Sequence, residues 1–178
     1  VNADFNADFQ FSLGERQRVD LEILASVIPN CEEVFKTTPE MDRKGIDYVA
    51  VLDGGAVINI DAKARRKGAV RPGSEPNLAL ETWSVCPREN QKGKPGWTCS
   101  RTSDVDLILY TFDRSDTDKF YLIPFQHLRI AFQRNFKAWR EKYPLYRQQN
   151  TTWDSEAMFV PASVVLKAVA EQMAWRCK

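Results

Sequence analysis

The chain has 178 residues, 43% hydrophobic and 11% aromatic, with 25 Lys and Arg against 24 Asp and Glu. This suits one soluble globular domain with a full core and excludes a disordered or fibrous chain. The net charge of +1 gives no overall pull toward nucleic acid, so any basic surface must be local.

No apolar run approaches the ~20 residues that span a bilayer, and no signal peptide is visible. Starting at Val1, the chain reads as having lost an initiator residue or a longer start. Cys31, Cys86, Cys99 and Cys177 show no Cys-x-x-Cys spacing and His127 is the single histidine. That speaks against zinc and for a reduced, cytoplasmic setting; a Cys86–Cys99 bridge across a loop stays open.

Residues 1–11 hold a doubled Asn-Ala-Asp-Phe, read as an extended arm or short strand. From Leu13 to about Ile28 the period turns helical, with Leu21, Leu24, Ala25 and Ile28 as the apolar stripe. Ser12 with Glu15 has the form of a capping box, and Pro29-Asn30 ends the helix. Glu15, Val19 and Glu22 share one side of it. A short strand at Glu33–Lys36 and a polar loop to Lys44 follow.

Gly45–Lys67, GIDYVAVLDGGAVINIDAKARRK, organises the rest. Two alternating, β-branched runs flank Asp53-Gly54-Gly55, a strong hairpin signal. A three-residue turn with a left-handed glycine pairs Leu52 with Ala56, and counting back sets Asp47 across from Asp61. Like charges facing each other in a ladder cost up to about 1 kcal/mol. A divalent cation removes that repulsion, because hard cations take carboxylate oxygens. Lys63 lies two residues beyond Asp61 on the same face. Two acids and a lysine meeting on a sheet surface make a site for metal-assisted hydrolysis.

Ala64–Ser74 is a basic loop bunching Arg65, Arg66, Lys67 and Arg71 beside Lys63, the kind of cluster that holds phosphate backbones. Asn77–Val85 alternates and predicts a third strand, with Glu81 as metal ligand, base or edge charge. Pro87–Ser103 is a long loop carrying Lys92, Lys94, Trp97 and Arg101. Its aromatic can stack on a base or ribose among cations, or fold down over the core. Strands are predicted over Asp104–Phe112 and Lys119–Pro124, and Asp104 and Asp106 can supplement the acidic cluster. A helix over Phe125–Tyr143 buries Leu128, Phe132, Phe136 and Trp139 and turns Arg129, Arg134, Lys137, Arg140 and Lys142 outward. After Pro144 and a polar stretch come a short strand, Ala157–Val160, and a helix from Pro161 to about Trp175 with Val165, Leu166, Val169 and Met173 as its stripe.

A helix with an acid, a strand with Asp and a strand with Asp-x-Lys together resemble the core of the PD-(D/E)xK nuclease superfamily. The matching residues are Glu15 in SLGERQRV, Asp47 in GIDYV, and Asp61 with Lys63 in INIDAK. The run GWTCSRTSDVDLILY followed by FYLIPFQHLR is similar to phage- and mobile-element-borne members. Ile46 stands where some members have proline, Asp61 where Glu is commoner, and Glu22 is the alternative helix acid to Glu15.

The resemblance covers about residues 12–112. It implies an α/β (α+β), restriction-endonuclease-like fold: a central mixed sheet of four or five strands flanked by helices, with the metal at a splayed edge. It implies one domain over 1–178, with a core of about 12–143 and a strand–helix extension over 144–178. It also implies Mg²⁺, with Mn²⁺ as a substitute, held by Asp47, Asp61, the Ala62 carbonyl and the helix acid Glu15. Lys63 would orient or deprotonate the attacking water. Arg65, Arg66, Lys67, Lys94, Trp97 and Arg101 are the nucleic-acid-binding candidates.

The expectation is a Mg²⁺-dependent DNA nuclease, endonucleolytic or resolvase-like, that can pair into a homodimer through its N-terminal arm. The alternatives are an inactive nuclease-fold protein that binds nucleic acid or inhibits a host or phage system, and a phage structural protein.

Overall fold

The computed structural model describes residues 16–90, 92–100, 103–149 and 153–175. The first helix, α1, covers 16–27 among these. Leu24 within it and Ile28 just past its end are buried, two members of the stripe read from the sequence. The arm at 1–11 lies outside the described residues, as does Glu15.

Strand β1 (Cys31–Lys36) leads to a short helix α2 (Pro39–Arg43), which the polar composition had hidden. Thr38 caps α2 and Pro39 opens it, as proline does where no backbone N–H is needed. The hairpin then forms from β2 (Tyr48–Leu52) and β3 (Val57–Arg65). Its register pairs Tyr48 with Ile60 and Val51 with Val57, and the Leu52 N–H donates to the Ala56 carbonyl at 2.8 Å. Gly54 and Gly55 both sit at positive φ, 83° and 81°, a conformation that costs glycine nothing. The two β-branched runs and the turn therefore produce the predicted pairing.

Next come β4 (Asn77–Val85), β5 (Lys94–Pro95), a 3₁₀ turn (Trp97–Cys99), β6 (Leu107–Phe112) and β7 (Phe120–Pro124). They are followed by α3 (Phe125–Lys142), β8 (Leu145–Gln149), β9 (Asp154–Pro161) and α4 (Ala162–Trp175). One sheet has the order β1-β2-β3-β6-β7 and the other β5-β4-β9-β8. In the first, β1, β2 and β3 are antiparallel neighbours. The Asp106 N–H donates to Asn59 and the Asp113 N–H to Arg65. Both partners advance in the same sense, so β6 runs parallel to β3. The fold is thus mixed α/β with the mixed five-stranded sheet expected from the sequence, plus a second, antiparallel sheet that was not.

The chain divides into two compact units, residues 1–63 with 104–109, and residues 64–103 with 110–178. The first centres on Leu24, Ile46, Tyr48, Ala50, Ile60 and Ile108. The second centres on Leu78, Leu80, Tyr110, Phe125, Leu128, Phe132, Met158 and Val165. The near-zero total charge conceals a partition. The first unit has six Lys and Arg against fourteen Asp and Glu, and the second nineteen against ten. No helix among the described residues is long and apolar enough to cross a membrane.

Candidate metal centre

The acids of the hairpin meet where the regular β2–β3 ladder becomes irregular just before Tyr48, although the Asp47 N–H still donates to the Ile60 carbonyl at 2.8 Å. The Ile46 and Asp47 carbonyls both accept the Thr37 hydroxyl at the end of β1. They are thereby directed toward β1, and the Ala62 N–H donates instead to Asp47 Oδ2 at 2.7 Å. A side-chain carboxylate thus satisfies a strand N–H, which buried backbone requires. That bond turns the Asp47 carboxyl toward β3, within interacting reach of the Asp61 carboxyl. Lys63 Nζ lies 2.6 Å from Asp61 Oδ1, and Lys36 Nζ lies 3.4 Å from Asp47 Oδ1.

The two carboxyls respond differently to this setting. Asp61 is only 5% exposed, and burial pushes its carboxyl up to about 7 against the pull of Lys63. Burial also works against ionisation of Asp47. There the Ala62 N–H, the interaction with Asp61 and the two lysines outweigh it and hold the carboxyl below its ordinary value. One proton shared between two neighbouring acids is the expected result.

Three further side chains complete the cluster, and none stood out in the sequence. Asp20 on α1 is buried and accepts the Tyr48 hydroxyl on Oδ2 at 3.0 Å. Its Oδ1 is buried with no hydrogen-bond partner among the described residues. Burial raises its carboxyl, and the negative charge of Asp47 adds to the effect. Burial and then Asp20 raise the Tyr48 phenol in turn. Lys36 stands 4.9 Å from the centroid of the Tyr48 ring. The available signal for Asp20 was its place four residues before Leu24, an acid within an apolar stripe.

Among the described residues of α1, the acid directed at this cluster is Asp20. Glu22, the alternative read from the sequence, is exposed and pairs with Arg18 at 3.8 Å. Asp104 is exposed, and Asp106 accepts the Asn59 N–H at 2.8 Å.

Glu81 works locally in the second unit. It accepts the Ser84 hydroxyl at 2.6 Å and the Trp97 N–H at 3.3 Å, and its carbonyl accepts the Thr98 hydroxyl. Trp97 folds down, half-buried, 6.4 Å from Phe125 between ring centroids. Arg65 lays its guanidinium 4.5 Å over the Phe159 ring. Arg66, Lys67 and Lys94 are exposed, and Asp116 ties down the basic loop by accepting the Gly68 and Val70 N–H groups. Arg101 lies outside the described residues. Cys86 and Cys99 are free thiols, so the bridge left open from the sequence does not form.

The donor set around Asp47 and Asp61 is hard oxygen, the kind Mg²⁺ and Mn²⁺ take. The shared proton and the unpartnered Oδ1 of Asp20 are both costs that a cation would relieve. Among the described residues, no group of three or more His, Cys, Asp or Glu side chains is disposed to hold a metal. A cation would have to complete its shell with backbone oxygen, water or substrate. The chain matches no family model, no curated protein and no solved structure.

Proposed function

We propose that the chain is a Mg²⁺-dependent nuclease that hydrolyses DNA phosphodiester bonds, of the PD-(D/E)xK kind that its motifs resemble. The observation that carries this reading is the meeting of Asp47, Asp61 and Lys63 on one side of the hairpin, with Lys63 Nζ 2.6 Å from Asp61 Oδ1. Asp47, Asp61 and the Ala62 carbonyl would hold the ion, and Asp20, bonded to Tyr48, would stand behind them as the acid that the described part of α1 contributes. Such an ion, held by Asp47 and Asp61, would supply Lewis acidity toward the reacting phosphate and the attacking water. Lys63 orients that water and steadies charge developing on the phosphate. Asp61 fixes the lysine and, ionised, adds the second negative charge that draws a cation. The Ala62 N–H fixes the orientation of Asp47 and, with Lys36, helps to hold it ionised.

A second reading is a nuclease-fold protein that binds nucleic acid without cutting it. It draws on the convergence of only two carboxylates, each already matched by a lysine. Plasmid nicking with Mg²⁺ or Mn²⁺ separates the two. Asp61→Ala and Lys63→Ala are each expected to lower the rate by at least about a hundredfold. Activity that persists in both variants overturns the assigned roles, and no metal-dependent cleavage of any DNA form favours the second reading.

A further inference from the structure

The second unit contains a groove of ≈ 550 Å³ that neither the hairpin motif nor the resemblance explains. That volume falls among small-ligand clefts, about 300–1,000 Å³. Its apolar lining includes Trp83, Phe132 and Phe136, and its polar lining includes Thr82, Arg140 and Glu156. Phe136 belongs to the apolar stripe of α3 yet is only half-buried, because this part of the stripe faces the groove rather than a packed neighbour.

The rings are held in place. Phe132 meets Phe136 edge-on with centroids 5.3 Å apart. Gly93 comes so close that a Cβ there would stand 2.8 Å from the Trp83 ring. Arg140 lies one turn beyond Phe136 and is exposed, as are Lys137 on the same helix and Lys94 beside Pro95. Glu156 accepts the Thr82 hydroxyl on Oε1 at 2.7 Å. A carboxylate offers about four acceptor sites, so it retains capacity for a donor entering the groove.

From this arrangement we infer that the groove takes an unpaired nucleobase, making DNA with single-stranded character the preferred ligand of the second unit. Aromatic faces stack on any base, and neighbouring cations follow the strand that carries it. The unit's nineteen basic against ten acidic residues provide the long-range attraction. Glu156 adds discrimination: a carboxylate accepts from the amino group at C4 of cytosine, whereas thymine presents a carbonyl oxygen there, which repels it. The inference names the substrate form for the nuclease reading and rests on it only for the choice of DNA.

The test is fluorescence anisotropy of the full chain in EDTA, with end-labelled oligo(dC), oligo(dT) of equal length and a blunt duplex. Oligo(dC) is expected to bind about tenfold tighter than oligo(dT), the discrimination of one hydrogen-bonded base edge. Phe136→Leu keeps apolar bulk but removes the ring. It is expected to weaken both single strands about tenfold, from lost stacking, and to leave the duplex within about twofold. Glu156→Gln keeps an acceptor for Thr82 but adds an N–H₂ group, and should erase the preference for oligo(dC). Should Phe136→Leu lower the melting temperature, Arg140→Gln at its exposed position takes over the comparison, again weakening single strands more than duplex.

Equal loss on duplex and single strands, equal affinity for the two oligonucleotides in the wild type, or binding to none of the probes overturns the inference. Binding is read without metal, so a chain that never nicks plasmid can still pass this test, and a chain that does can fail it.

Discussion

Replacing Asp61 with asparagine removes the carboxyl that, in the folded protein, holds its proton beside Asp47, while preserving shape. In the folded protein burial lifts the Asp61 carboxyl to about 7, from 3.8 for the free group. Between those values the folded chain keeps a proton that the unfolded chain has released, so stability falls as pH rises through the window. Each pKa unit is worth about 1.4 kcal/mol, giving a ceiling of about 4 kcal/mol for the whole fall. Asp47 contributes in the opposite sense. Its folded value is depressed, so its stabilisation is complete above the unfolded value and is lost only at more acid pH. Asp61 therefore controls the neutral window.

The asparagine side chain of the variant has no proton to lose and can still accept from Lys63. Urea unfolding in EDTA, from about pH 4 to about pH 8, should show the wild type weakening with an unchanged m-value and Asp61→Asn nearly flat after common titrations are subtracted. The variant should therefore be the more stable protein at about pH 8. Millimolar Mg²⁺ at that pH should recover stability in the wild type and much less in the variant. Parallel pH profiles for the two proteins would refute the shared proton and the pKa reasoning built on it.

Tyr48→Phe removes the hydrogen bond that the phenol gives the buried Asp20 carboxyl, and should cost about 1–3 kcal/mol in urea unfolding. Combined with Asp20→Leu, the loss should be clearly smaller than the sum of the two single losses, because the donor and acceptor are removed together. Gly96→Ala drives a Cβ into the Glu81 carbonyl group. It should cost about 1–3 kcal/mol, seen as a lowered melting temperature, and should displace Trp97 enough to change its fluorescence.

The hairpin was legible because each of its determinants is local. Alternation, β-branching and Asp-Gly-Gly act along one short stretch of chain, and the register of Tyr48 on Ile60 follows from the turn alone. The long helices α3 and α4 were legible for the same reason, through their apolar periods, although Met173, placed on the α4 stripe, is exposed. The second sheet was not. Its central pairing sets Leu80 against Met158, and nothing near either residue announces a partner so distant in the chain. Strand β8 was hidden because LYRQQ is an edge segment whose exposed side chains carry no alternation. At the candidate metal centre, Asp47, Asp61 and Lys63 could be placed by counting along strands. Asp20 and Lys36 could not, since they reach the cluster through α1 and β1, whose packing on the hairpin is decided by the tertiary fold.

The division of charge has a practical consequence for handling the protein. With a sequence pI of about 7.8, the molecule has almost no net charge near neutral pH, yet each compact unit is strongly charged. In dilute buffer the acidic unit of one copy attracts the basic unit of another, so solubility should be poorest at low ionic strength. Moderate salt, whose ions screen within about 10 Å at 0.1 M, should dissolve such aggregates. For the same reason the protein should adhere to both cation- and anion-exchange resins near its isoelectric point, behaviour that net charge alone would not suggest.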